Sequence, residues 1–316
     1  MKKCLAFIYA FTLLTTFNAF SQGCSDAGFC TMGAMKPDQP FNKKIEFKLR
    51  SMELSFYRGT TTLTPIIYVA TADMNFSLNS KTYFQVKLPY QAVSGRLANT
   101  NGLGDISLCL TRNLINKERY DIKLSLGAKI PSNNSDKDVD GLPLPMYYQT
   151  SLGTYDFISG ISFITRQWLF ATGIQIPLNE NHNQFVWSAW DGTDEKSYVD
   201  RYNQAKNLKR GTDVMLRVER NFRFSRLNFS LGLLPIYRIK RDEFTKSGSA
   251  ANSPETRIIH PDAKGLALSG IFTAGYNFDV RSGIKFLVGH KIVQRDVNPD
   301  GLTRELVTTF SYYYSF

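Results

Sequence analysis

The sequence predicts an all-β fold: a closed antiparallel β-barrel of about 12 strands that crosses a membrane. Three observations carry that expectation. Apolar and polar residues alternate through most of the chain. The connections between the alternating segments switch between short and long. The last segment is studded with aromatic residues down to Phe316. Alternation with a period of two marks a strand with two different faces, and no helical period competes with it over a comparable length.

The first residues bear on compartment. Lys2 and Lys3 precede an apolar stretch from Cys4 to Phe20, and Ala19-Phe20-Ser21 offers a small-x-small cleavage pattern ahead of Gln22. Residues 1–21 are therefore expected to be a secretory signal peptide, absent from the mature protein. Gly23-Cys24 resembles the end of a lipoprotein signal, but Ser21 stands where Leu is expected. Residues 22–42 form an N-terminal segment, either periplasmic or inserted into the lumen. Its Cys24 and Cys30 make a C-x5-C pair that an oxidising compartment closes into a disulfide. Metal binding is the alternative, but two thiolates without a nearby His or Cys do not fill a tetrahedral site. Cys109 is left unpaired, as a small residue of an apparent strand.

The barrel is expected over residues 43–316. Its twelve segments run at 43–57, 66–78, 81–91, 103–115, 119–131, 152–166, 168–178, 211–223, 226–240, 264–278, 281–292 and 303–316. In the fifth, Ile122, Leu124, Leu126, Ala128 and Ile130 interleave with Lys123, Ser125, Gly127 and Lys129. In the first, the apolar parity flips at Arg50-Ser51, from Ile45, Phe47 and Leu49 to Met52, Leu54 and Phe56, which predicts a β-bulge. Short turns fall at 79–80, 116–118, 167, 224–225 and 279–280, and long loops at 92–102, 132–151, 179–210, 241–263 and 293–302. Outer-membrane barrels pair short periplasmic turns with longer extracellular loops and an even strand number. Closure follows from the solvent: in lipid every backbone amide needs a partner, so no sheet edge can remain.

Phe310, Tyr312, Tyr314 and Phe316 share one face of the final segment. They resemble the C-terminal assembly signal of bacterial outer-membrane barrels, which names barrel assembly machinery as a partner. Outer-membrane lipid and lipopolysaccharide are the other expected partners for a chain of net charge +11, and an envelope protein is a further candidate. Nucleic acid is not expected, since no Lys/Arg cluster with interleaved aromatics suits a stacking platform. Composition agrees. A mean hydropathy of −0.23 is too low for a helical membrane protein, and 23 Phe with 16 Tyr are too many for a solvated chain.

With apolar residues toward lipid, the opposite parity lines the interior. That set includes Lys87, Lys123, Lys129, Arg166, Arg217, Arg223, Arg238, Lys285 and Lys291 against Asp73, Asp105, Asp156, Asp213, Glu219 and Glu305. Lys123, Arg217, Glu219, Lys285 and Asp105 are the candidate solute contacts. Such a lumen selects by charge, or its charges pair across the barrel and plug it. Loop 179–210 carries Phe185, Trp187 and Trp190, which form an entry pocket or lid, or simply pack the loop. Catalysis is not expected: His182 and His260 fall in loops, His290 faces lipid, and no Gly-x-Ser-x-Gly elbow accompanies them. No cofactor motif or metal set is present in the sequence.

Two stretches carry a family resemblance. Tyr90-Gln91-Ala92-Val93-Ser94-Gly95 leads into Gly102-Leu103-Gly104-Asp105-Ile106-Ser107-Leu108, and Leu152-Gly153-Thr154-Tyr155-Asp156-Phe157 follows. Together they resemble the exported barrel family named for the meta-cleavage pathway of phenol degradation, itself distantly similar to channels for long-chain fatty acids and aromatic hydrocarbons. The chain departs from that family at Tyr147-Tyr148-Gln149-Thr150, where Gly- or Ser-rich sequence is usual, and in its Cys24/Cys30 leader. The resemblance implies an outer-membrane channel or transporter, and the expected function is passage of small amphipathic or aromatic solutes. The alternative is a non-transporting structural or partner-binding barrel within an envelope complex.

Overall fold

The computed structural model describes residues 32, 48–61, 63, 65–246 and 255–316. The expected signal peptide and the Cys24–Cys30 pair lie outside the described residues. Met32, between them and the barrel, is buried.

Twelve strands form the wall, each antiparallel to the next. They are β1 (Lys48–Thr60), β2 (Ile66–Ser77), β3 (Thr82–Ser94), β4 in two pieces (Asn99–Leu103 and Ile106–Asn116), β5 (Tyr120–Ile130) and β6 (Asp156–Thr165). The second half is β7 (Trp168–Pro177), β8 (Asp213–Arg223), β9 (Leu227–Arg238), β10 (Gly265–Asn277), β11 (Ser282–Val293) and β12 (Leu306–Ser315). Closure comes from β12 against β1, with Phe310 opposite Phe56, Tyr312 opposite Leu54 and Tyr314 opposite Met52. The Phe316 N–H donates to Arg50 O at 2.9 Å and extends that seam. The bulge expected at Arg50-Ser51 is present as a register shift between Leu49 and Ser51 in the β1–β2 ladder.

Strand polarity follows the alternation. Leu54, Phe56, Leu126, Phe163, Phe170, Leu231 and Phe310 are exposed on the outer face, where a hydrocarbon solvent accepts them. Asp73, Lys87, Lys123, Arg217, Glu219 and Lys291 are buried on the inner face. Cys109 is an inward wall residue, buried and not in a disulfide. Near the turn end, Arg220 stacks on Trp168 at 4.8 Å and Arg50 on Tyr83 at 5.2 Å. Amphipathic rings of this kind suit the membrane–water boundary.

The turn end matches the expected spacing, with connections at 78–81, 117–119, 166–167, 224–226 and 278–281. Arg166 therefore belongs to a turn and is exposed, not lumenal, because β6 stops at Thr165. The loop end departs from expectation in its first two connections. Residues 61–65 and 95–98 are short. The expected loop 92–102 contracts because Tyr90–Ser94 stay paired with Asn99–Leu103.

The break within β4 has a local cause. Pro89 in β3 has no N–H to give the ladder, and pairing stops between Lys87↔Ser107 and Tyr90↔Leu103. Gly104 N–H bonds back to Pro89 O at 2.9 Å. A Cβ at Gly104 would stand 3.1 Å from the Pro89 ring. The kink presents Asp105 to the interior.

Candidate functional site

The inner wall is polar for most of its circumference and carries one inward apolar cluster. On β2 to β5 the inward residues are polar: Asp73, Gln85, Lys87, Ser107, Thr111, Asn113, Lys123, Ser125 and Lys129 are all buried. Several of them pair locally, as where Gln85 donates to both Asp73 oxygens at 2.9 and 2.8 Å and Lys87 lies 3.6 Å from Asp73. On β6 to β10 an apolar cluster of Ile158, Ile164, Leu169, Ala171, Met215, Leu234 and Ile271 sits among inward polar residues such as Ser162, Gln175, Arg217, Glu219, Ser230 and Ser269. Where that cluster lies, both faces of the wall carry apolar residues, so alternation alone does not distinguish inside from outside.

The candidate solute contacts are spread along the barrel axis. Asp105 sits near the loop end, where it accepts Ser151 Oγ–H at 2.5 Å and Leu152 N–H at 3.2 Å and pairs with Lys129 at 3.3 Å. The two motif stretches that carry the family resemblance thus meet at this carboxylate. Arg217 and Glu219 lie midway on β8 and bond each other, at 2.9 Å from Nε and 2.5 Å from Nη2. Gly232 faces Glu219 across the ladder, where a Cβ would come within 2.6 Å of Glu219 Cγ. Lys123, beside Asp121, is near the turn end. So is Lys285, 3.7 Å from Glu53 and 4.8 Å from the Tyr313 ring centre. Lys285 and Arg223 line one small cavity with Asn221, Asn228 and Ser230.

The loop end is filled by its own loops. Tyr57, Ile67, Val69, Val93 and Val307 project from the wall and pack against Leu144, Tyr147, Tyr148, Phe185, Trp190, Tyr198, Val199 and Tyr202 from loops 131–155 and 178–212. Short helical turns at Met146–Tyr148, Trp187–Trp190 and Lys196–Val199 present these rings. Phe185 and Trp190 are buried within the cover, and Trp190 Nε1–H donates to Pro143 O at 2.9 Å. They therefore do not line an open pocket. Trp187 stays partly exposed while donating to Tyr202 O at 2.8 Å. Asn183 stitches the two loops by donating to Ser135 O and Leu144 O at 2.8 and 3.1 Å. Burial pushes the Tyr147 phenol up to about 12, so this cover stays neutral at physiological pH.

Opposite the cover, a buried ionic network ties the loops to the rim. Arg238 at the end of β9 bonds Asp213, Asp242 and Asp300 at 2.7, 2.6 and 2.8 Å. Arg210 bonds Asp156 at 2.8 Å and lies 3.7 Å from Asp300, and Arg295 is 3.6 Å from Asp213. Burial opposes ionisation of Asp300, but Arg238, Arg295 and Arg210 together hold its carboxyl well below the usual range. Burial lifts the Asp242 carboxyl, against the pull of Arg238 and with the nearby Asp300 charge adding to the rise. Sequence reading placed Arg238, Asp156 and Asp213 in the interior but missed Arg210, Asp242, Arg295 and Asp300. These lie in loops, where no periodicity assigns direction.

Beneath the cover, on the polar side, lies a cavity of about 70 Å³. Its walls come from β2 to β5, from residues 149–152 and from residues 300–304. No histidine lines this cavity: His182 is exposed in a loop, His260 lies 5.2 Å from the Phe244 ring, and His290 is exposed on the outer face of β11.

No protein-family model and no curated protein sequence matches the chain. Among solved structures, an outer membrane channel from Pseudomonas putida F1 superposes with a TM-score of 0.61 at 11% identity, over 88% of this chain and 99% of that one. The NanC porin gives 0.44 at 10% identity, over 84% and 98%. The CymD monoaromatic hydrocarbon channel gives 0.42 at 11%, over 95% and 99%. At these identities the likeness concerns the fold. Taken with the closed ladder and the apolar outer face, it makes the chain a twelve-stranded antiparallel β-barrel of the bacterial outer membrane.

Proposed function

We propose that the barrel passes small amphipathic or aromatic solutes across the outer membrane, as a transporter akin to the phenol meta-cleavage family it resembles. The observation that carries this reading is the mixed inner wall, polar on β4 and β5 and bearing an inward apolar cluster among polar residues on β6 to β10. A solute with one charged and one greasy end meets a matching surface for each, whereas a uniformly polar wall favours sugars or ions. Arg217, Glu219, Lys123, Lys285 and Asp105 are the polar contacts along the path. In this reading Phe310, Tyr312, Tyr314 and Phe316 are the stretch handed to the assembly machinery.

The test is uptake by proteoliposomes of benzenesulfonate, whose permanent charge keeps it from leaking through lipid. Entry faster than that of glucose is expected. Folded protein that admits neither solute sinks the reading. In planar bilayers, Lys285→Ala should shift ion selectivity toward cations. The packed loop cover favours a second reading, a non-transporting barrel that docks an envelope protein. Electrically silent, fully folded protein would support it.

A further inference from the structure

The cavity under the loop cover contains a charge that no carboxylate among the described residues pairs with. Of the ionised groups on its walls, Lys87 has Asp73 at 3.6 Å, Lys129 has Asp105 at 3.3 Å, and Asp300 has Arg238 at 2.8 Å. Arg304 differs. Its guanidinium is 5% exposed, and its hydrogen bonds run from Nη1 to the carbonyls of Gly301 and Thr303, both at 2.9 Å. Arg304 Nε has no partner, and no carboxylate pairs with the group, among the described residues. Ser107 Oγ, on the same cavity wall, is likewise buried and unpartnered.

A buried cation without an anion is costly, and a fold that merely needed an arginine stem here would pair it. The surroundings are also shaped for it. Gly59 clears the way for the side chain, since a Cβ there would stand 2.9 Å from Arg304 Cδ and 2.5 Å from Tyr57 Oη. Ile67, Val69 and Leu302 supply apolar surface beside these polar groups. At roughly 10–15 Å³ of such space per water, the cavity volume of about 70 Å³ holds a carboxylate with a short alkyl tail.

The geometry points to a binding site for small amphipathic carboxylates in this cavity, with the carboxylate on Arg304 and the tail on Ile67, Val69 and Leu302. The inference deepens the proposed transport function and rests on it for its biological sense, but binding itself is measured separately. Full-length protein in detergent is titrated with butyrate and with its neutral analogue butyramide, read by saturation-transfer NMR. Butyrate should bind and butyramide should not. Arg304→Gln should weaken butyrate binding at least tenfold, while Arg241→Gln, which removes an exposed loop charge, should bind as the parent does. Each variant is first checked for the heat-modifiable gel mobility of a folded barrel. Equal binding of butyrate and butyramide, or unchanged binding by folded Arg304→Gln, overturns the site. If Arg304→Gln does not fold, Arg304→Lys replaces it: the charge stays, the fork geometry goes, and weakened butyrate binding is still expected. Butyrate binding without benzenesulfonate uptake would defeat the transport reading and leave the site standing. Uptake with no butyrate binding would do the reverse.

Discussion

The two ends of the barrel differ in how they are held. At the turn end, connections of two to four residues close the hairpins with local bonds, as where Asp279 accepts N–H groups of Arg281 and Ser282 at 2.6 and 2.7 Å. At the loop end, order depends on partners distant in sequence. Arg238 reaches Asp300, Arg210 reaches Asp156, and Tyr148 packs against Tyr202. Local contacts form whatever else the chain does, whereas long-range buried contacts stand or fall together. The loop end should therefore be more sensitive to a single change, and more cooperative when it fails.

The largest expected effect tests that contrast directly. Arg238→Ala leaves Asp213, Asp242 and Asp300 without their shared cation, and removing one partner of a buried ion pair costs about 3–5 kcal/mol. Protease should then cut several outer loops at once, a result read by mass spectrometry of the fragments. Cutting in only one loop would mean the network is not cooperative. Next comes Gly301→Ala. Its φ of +67 lies in the left-handed region, and a Cβ would meet Tyr147 N at 2.7 Å. A loss of roughly 1–3 kcal/mol should appear in the urea midpoint of the loop-cover tyrosine fluorescence.

Asp279→Ala should sharpen the comparison from the other side. It removes the turn's hydrogen bonds yet should leave outer-loop protease resistance unchanged, with any loss seen as faster hydrogen exchange in 278–282. Smallest is a pH effect in loop 239–264. Burial holds His260 below its usual value although Asp262 pulls it up. Its contribution is thus complete above the ordinary histidine pKa of about 6.5 and is lost as pH falls from there through the lower folded value. Protection factors of the amides in 243–246 and 256–259 should fall between pH 7.5 and 5.5, and His260→Asn should abolish that dependence.

How much of this was legible beforehand varies by place. The strand segments, the bulge at Arg50-Ser51 and the even count were all readable, because a wall between lipid and a polar interior forces alternate side chains apart in character. The break at Gly104-Asp105 was readable only as a strand start. Its cause, Pro89, lies on the neighbouring strand. Phe185 and Trp190 were identifiable as loop aromatics, but whether they pack or line an opening depends on Tyr148 and Tyr202, which the chain brings to them from both sides. The inward apolar cluster was hidden because strands such as β7, with Leu169 and Ala171 inside and Phe170 outside, carry apolar residues on both faces.

By itself the sequence determined which residues form strands and that the sheet must close, since these follow from the period of a strand and from the absence of water in lipid. Only the tertiary structure decided which loop charges meet, which aromatic rings cover the mouth and where an arginine is left beside a cavity. Those outcomes depend on segments separated by many residues that approach each other only after the wall is complete, and no local pattern encodes that approach.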